Sequence, residues 1–256
     1  MGRAPEHFGE FLERVRQANL TVRPSKCEIG FESMEFVGHE VKKGKIGLHM
    51  DNVKKIQEAP RPKTKTQVRS FLGLTGFYRG YIDKYAEIAA PLTDLTKKGC
   101  PNVIEWGEMQ EKAFTTLKRL LVAEPVLQLP DMTKPFVLRT DASDVGIGAV
   151  LLQKHGEELF PVAYASKKLL PRERAYSIME KECLGVVWAV KRFNVYLYGA
   201  PFVLQTDHQP LAYLNRSKFT NGRITWWTLF LQPYRITIEA IKGSQNVGAD
   251  YLSRIQ

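Results

Sequence analysis

Two apolar runs in the second half of the chain, Phe136-Val137-Leu138-Arg139-Thr140-Asp141 and Phe202-Val203-Leu204-Gln205-Thr206-Asp207, begin alike and both end in Thr-Asp. Short runs rich in β-branched and aromatic residues and bounded by turn signals read as strands. Between them lie two further strand patterns, over residues 146–154 and 159–167, and a long helical pattern from about Glu173 to Tyr198. Three adjacent antiparallel strands followed by alternating strand and helix confine this region to an α/β fold: a mixed sheet with helices on its faces. Beyond Asp207 the pattern predicts a short helix at 210–214, a helix around 224–231, a strand from 235 and a final helix opening at Asp250.

The placement of four acids in this region suggests chemistry. Asp141 and Asp207 end strands, Glu182 lies on the otherwise apolar side of the long helix, and Asp250 opens the last one. A carboxylate beside a buried apolar run costs several kcal/mol unless it is paired or binds a cation. Four on one domain therefore suggest a divalent-metal cluster, and the oxygen donors suit a hard cation. Metal-dependent phosphodiester hydrolysis uses such a site, with two cations about 4 Å apart. Each acid alone also has an ordinary reading. Asp141 fits a turn, Asp207 a helix cap, Glu180 and Glu182 a solvated helix face, and Asp250 a helix-start acid. Taken together, those readings leave the repeated Thr-Asp ending unexplained.

Charge points toward a polyanion. The 256 residues carry 37 Lys and Arg against 27 Asp and Glu, a net charge of +10. Residues 41–79 hold ten of the basic residues against only Asp51 and Glu58, so the surplus is local. Nucleic acid fits such a footprint, although basic composition also serves solubility. Cys27, Cys100 and Cys183 form no CxxC or Cys/His pattern, so neither a disulfide framework nor a zinc site is expected. The polar start and the absence of any apolar run of about 18 residues predict an intracellular, cytoplasmic protein without a membrane partner.

Upstream, residues 7–19 have helical apolar spacing, and strands are expected over 20–31 and 34–49 with turns at Pro24 and Gly44. Asp51 is the expected N-cap of one helix, ending before Pro60-Arg61-Pro62, and Thr66 that of a second. The pair presents Lys54, Lys63, Lys65 and Arg69, which fit a duplex-gripping module and a solvated helical hairpin equally. Residues 91–130 read as a connector containing one helix and a proline-spaced end, with a domain boundary at 131.

Four segments in order, TDASDVGIGAVLLQ, EKECLGVVWAV, LYGAPFVLQTDHQPL and NVGADYLSR, resemble the ribonuclease H domain of Ty3/gypsy-type long-terminal-repeat retrotransposon polyproteins. Upstream, FVGHEV resembles the primer-grip strand of reverse transcriptases. RPKTKTQVRSFLGLTGFYRGYI with AEIAAPLTDLTKKG resembles their thumb and connection. The resemblance implies a truncated palm end over 1–50, a small helical thumb and connection over 51–130, and a ribonuclease H-like domain with a mixed five-stranded sheet over 131–256. It implies metal ligands Asp141, Glu182, Asp207 and Asp250 holding two magnesium ions, with manganese as a substitute. Glu182 is chosen over Glu180 because the family's acid directly precedes the apolar stretch, here CLGVVWAV. Phe36, Gly38 and His39 on the primer-grip-like strand, and Ser143 and His208 beside the acids, become candidate nucleic-acid contacts.

The implied reaction is endonucleolytic hydrolysis of the RNA strand of an RNA/DNA hybrid. Implied partners are that hybrid or another duplex, together with the rest of a pol polyprotein: palm, fingers and integrase. A virus-like particle or the nucleus are further locations consistent with it. The sequence departs from the family in two places. It contains no adjacent pair of aspartates, so the Tyr-x-Asp-Asp polymerase turn is missing and polymerisation by this chain alone is not expected. Ile241 stands near where cellular ribonucleases H carry a mobile histidine. Two other roles remain compatible: a nucleic-acid-binding remnant, and a polymerase fragment that works only with a chain supplying the palm. Of the adjacent Trp226 and Trp227, which face different ways on a helix, at least one is expected in the core.

Overall fold

The structure is a computed structural model that describes residues 4–27, 29–123, 126–207 and 222–241. The chain divides into two units, Met1–Met34 and Glu35–Gln256. In the first, helix α1 (Ala4–Gln17) has the apolar spacing read from the sequence, yet Phe8, Phe11 and Leu12 are all exposed. The strand expected over 20–31 does not form among the described residues. Pro24, with its fixed φ and no N–H to give a ladder, opens a 3-10 turn over Pro24–Lys26 instead.

Strand β1 (Ser33–Phe36) runs from the first unit into the second, followed by β2 (His39–Lys42) and β3 (Lys45–Leu48). The β2–β3 hairpin turns at Lys43-Gly44, where Gly44 has φ +72°, a left-handed backbone that glycine adopts without a Cβ clash. Then come α2 (Met50–Glu58), α3 (Lys65–Phe77), a 3-10 turn at Arg79–Tyr81, α4 (Tyr85–Ile88), α5 (Ala90–Asp94) and α6 (Glu108–Val122). Both expected caps lie two residues earlier in the chain. His49 is the N-cap of α2, and Asp51 sits in its first turn. Thr64, not Thr66, caps α3: its hydroxyl accepts from the Gln67 N–H while the Gln67 side chain accepts from the Thr64 N–H, a reciprocal capping box. Ile56, Val68, Leu92, Leu117 and Leu121 are fully buried among these helices. The proline-spaced end of the connector supplies β4 (Leu127–Gln128), which pairs antiparallel with β3.

The second sheet contains β5 (Phe136–Ala142), β6 (Gly146–His155) and β7 (Glu158–Lys168). After α7 (Pro171–Arg174), α8 (Ile178–Arg192) and α9 (Asn194–Leu197) come β8 (Pro201–Thr206), α10 (Gly222–Leu231) and β9 (Arg235–Ala240). The order is β7-β6-β5-β8-β9, antiparallel across the first three strands and parallel from β5 to β8 to β9, the mixed five-stranded sheet that the sequence implies. The single long helix expected from Glu173 forms three: Ser177, in extended backbone, starts α8 as a side-chain cap, and Phe193 separates α8 from α9. Phe136, Leu138, Phe202 and Leu204 of the twin strands pack with Val186, Val190 and Leu197 behind them. Trp227 packs against this core and Trp226 is exposed.

The helices before β4 also cover part of the second sheet. The Ala86 N–H donates to Ser166 Oγ at 2.8 Å, Lys168 pairs with Asp94 at 2.6 Å, and Tyr164 of β7 packs into the upstream core.

Candidate functional site

Strand periodicity places the acids. Along β5, Phe136, Leu138 and Thr140 are buried while Arg139 and Asp141 lie on the other face. Strand β8 repeats that alternation beside it, with Leu138 opposite Leu204 and Arg139 opposite Gln205. Continuing this register by two residues brings Asp141 and Asp207 to the same end of the sheet. The shared Thr-Asp ending is thus a buried hydroxyl followed by an acid at the strand's exit, twice.

Helix α8 crosses that end. Glu182 is buried and its carboxylate accepts the Ala142 N–H. Burial first, then the charges of Asp141 and Asp207, push its carboxyl up to about 8. Such crowding of anions disfavours ionisation unless positive charge is brought in. Glu180 is engaged elsewhere: it completes the capping box with Ser177, accepting the Ser177 N–H at 3.0 Å, and pairs with Arg223 at 2.5 Å. Asp250 and His208 lie outside the described residues.

The donor set consists of hard carboxylate oxygens, and the raised Glu182 is the condition that a divalent cation relieves, so the chemistry fits a hard divalent cation. Among the described residues, however, no three His, Cys, Asp or Glu side chains converge closely enough to hold a metal ion. The positive charge on Asp141 is a side chain of the protein, the ammonium of Lys84, from the turn before α4. Burial opposes a charge on Lys84, but the hydrogen bond and charge of Asp141, with Glu87 and Asp83 nearby, outweigh it and hold the ammonium above its ordinary range. Glu87 accepts from Ser143 Oγ at 2.8 Å, while that oxygen takes the N–H groups of Val145 and Gly146. Ser143 is therefore the hub of the β5–β6 turn. Asp83 is pushed up to about 7, mainly by burial.

The sequence reading missed Lys84, Asp83 and Glu87. The signal for them was Gly146 and Gly148, alternate residues on one face of β6. A Cβ on Gly146 would lie 2.9 Å from Glu87 Cγ, and one on Gly148 would lie 3.0 Å from Lys84 Cγ. Glycines at that spacing mark a close approach by another segment.

The candidate nucleic-acid contacts diverge. Phe36 is exposed, while His39 stacks between Phe77 and Tyr81, with ring centroids 5.2 and 5.7 Å away, and shares a 2.9 Å hydrogen bond with the Tyr81 hydroxyl. Burial lowers its pKa. The Gly38 carbonyl accepts from the Tyr78 hydroxyl at 2.8 Å. Lys65 donates to the Lys97 carbonyl at 2.5 Å and Arg69 to that of Thr96 at 3.2 Å, so both tie down the loop after α5. Lys54, on α2, and Lys63, in the loop before α3, are exposed.

Residues 131–234 match the family described as the RNase H-like domain found in reverse transcriptase. The chain carries this ribonuclease H-like domain. It is 41% identical over 243 residues to the retrovirus-related Pol polyprotein from transposon 297 of Drosophila melanogaster, covering 95% of this chain and 22% of that protein. Against the transposon Tf2-3 polyprotein of Schizosaccharomyces pombe it is 35% identical over 255 residues, 98% of this chain and 19% of the relative. The chain thus spans about a fifth of the length of these polyproteins. Its fold is similar to that of a foamy viral protease-reverse transcriptase in complex with double-stranded DNA, with TM-score 0.72 and 25% identity, over 91% of this chain and 42% of that one. No described helix is long and apolar enough to cross a membrane.

Proposed function

We propose that the ribonuclease H-like domain hydrolyses the RNA strand of RNA/DNA hybrids, with Asp141, Glu182, Asp207 and Asp250 holding two magnesium ions. The observation that carries the reading is the buried Glu182 carboxyl, raised by Asp141 and Asp207 at one end of the sheet, in a domain of this family. Magnesium supplies, when bound, Lewis-acid activation of water and neutralisation of the leaving oxygen. The chain's own residues supply geometry. The parallel register of β5 and β8 aligns two carboxylates, the Ala142 N–H orients a third, and the packed core behind Leu138 and Leu204 keeps them in place. Water adds to phosphorus and the P–O3′ bond breaks, leaving a 5′-phosphate and a 3′-hydroxyl.

The hybrid would be read by backbone shape and 2′-hydroxyls, with exposed Lys54 and Lys63 adding a salt-dependent grip. Polymerisation is not proposed for this chain by itself, because its sequence contains no adjacent aspartates. The deciding experiment incubates the purified chain with an end-labelled RNA/DNA hybrid and magnesium beside Asp207→Asn. Cleavage of the RNA strand by the unmutated chain alone is expected. Tight hybrid binding without cleavage would sink the enzyme reading in favour of a binding remnant.

A further inference from the structure

Among the described residues, Lys84 is the least exposed charged residue. It is only 2% exposed, and its backbone sits at φ 50°, ψ 29°, a left-handed conformation that residues with a Cβ seldom adopt. Its stem crosses β6 where Gly148 leaves room, and Gly148 is the register partner of Asp141. The ammonium therefore arrives on the Asp141 carboxylate along a path with little freedom. A second acceptor is close. Asp83 has a buried Oδ2 with no hydrogen-bond partner among the described residues, and its carboxyl and Lys84 influence each other electrostatically. The ammonium is bound to Asp141, and Asp83 is a further electrostatic partner of Lys84.

Resting on the reading of Asp141 as a metal ligand, we propose that Lys84 is an internal competitor for the metal site: its ammonium occupies Asp141, and a divalent cation enters only by displacing it toward Asp83. Lys84 is thus a positioning residue that sets the metal concentration at which the site loads. It belongs to the segment anchored on the sheet by Ala86–Ser166 and Asp94–Lys168. A purely structural lysine would stabilise the docking without altering metal affinity.

The test measures Mn²⁺ binding to the full chain at pH 7.5, by calorimetry and by the EPR signal of free Mn²⁺. Lys84→Asn keeps a residue that tolerates the left-handed backbone and removes the charge, and Lys84→Gly does so with no Cβ at all. Both are expected to bind Mn²⁺ at least about tenfold more tightly, the order that Coulomb's law gives for removing one positive charge near a divalent ion even at water-like screening. Lys84→Arg is expected to stay near the unmutated affinity. Ser166→Ala, which loosens the docking and leaves the ammonium, is expected to stay there too. Equal affinity of the unmutated chain, Lys84→Asn and Lys84→Gly overturns the proposal, as does equal tightening by Ser166→Ala. Asp141→Asn separates the two levels: if it loses the Mn²⁺ site, the ligand reading stands whatever Lys84 does. If it binds as the unmutated chain does, that reading falls and the competitor role with it.

Discussion

Replacing Asp83 by asparagine is expected to make the protein more stable at alkaline pH and to leave it nearly unchanged at acid pH. The carboxyl lies in the turn before α4, where burial disfavours its ionised form, with help from the charges of Asp141 and Glu87 and against the ammonium and N–H of Lys84. In the folded chain it therefore keeps its proton up to about pH 7, whereas the unfolded chain releases it near 3.8. Between those values the folded state binds more protons than the unfolded one, so stability falls as pH rises, and above 7 the loss is complete. At 1.36 kcal/mol per pH unit the whole loss is roughly 4 kcal/mol, of which about 3 kcal/mol accrues between pH 5 and pH 8. Asparagine is neutral throughout and nearly the same shape, and like the protonated acid it has no partner for the outer atom. The gap between variant and parent should therefore open with pH, toward about 3 kcal/mol more at pH 8 than at pH 5. Urea titrations followed by circular dichroism at several pH values between 5 and 8, without divalent metal, measure it. Parallel stability curves for the two proteins would refute the claim that Asp83 is held neutral by burial.

Leu138→Ala empties a fully buried position between β5 and α8 and is expected to cost about 2–5 kcal/mol in the same urea assay. Ser177→Ala removes the hydroxyl that accepts the Glu180 N–H and should cost about 1 kcal/mol, read as a lower midpoint of thermal unfolding. Lys54→Gln and Lys63→Gln, both at exposed positions, should each flatten the dependence of log affinity for a duplex on log salt by up to about 0.9, measured by fluorescence anisotropy. An unchanged slope in the double variant would remove α2 and the loop before α3 from the duplex contact.

The second sheet was legible because its signals are local. Alternation along Phe136 to Asp141, its repetition at Phe202, and the strand patterns over 146–154 and 159–167 all act within one strand or one hairpin. The caps were misplaced by two residues at both upstream helices because several polar residues near each start can cap, and the choice depends on geometry. Thr64 prevails over Thr66 because Gln67 is three residues after Thr64 and can return its hydrogen bond. Strand β4 was hidden because two residues carry no period, and they become a strand only by lying against Lys45 and Ile46. Lys84 was invisible for a related reason. Its partner Asp141 is far along the chain, and nothing in IDKYAEI distinguishes an exposed lysine from a buried one. Only the glycines it passes leave a mark, and they are on the other segment.

The choice between Glu180 and Glu182 has a physical basis that does not depend on family resemblance. Ser177-Ile178-Met179-Glu180 is an S-x-x-E capping box, in which the acid at the third helical position must turn back toward the serine N–H. Its carboxylate is used at the helix start, and Arg223 takes the other oxygen. Two residues on, the helix has rotated by more than half a turn, so Glu182 must face the opposite side, which here is the end of β5. An acid forced inward at that point meets the Ala142 N–H and two further carboxylates, and burial leaves it protonated up to about pH 8. The cap therefore does more than start the helix. By fixing the rotation of α8 about its own axis, Ser177 determines which acid joins Asp141 and Asp207, so the helix start belongs to the geometry of the site as much as the strand register does.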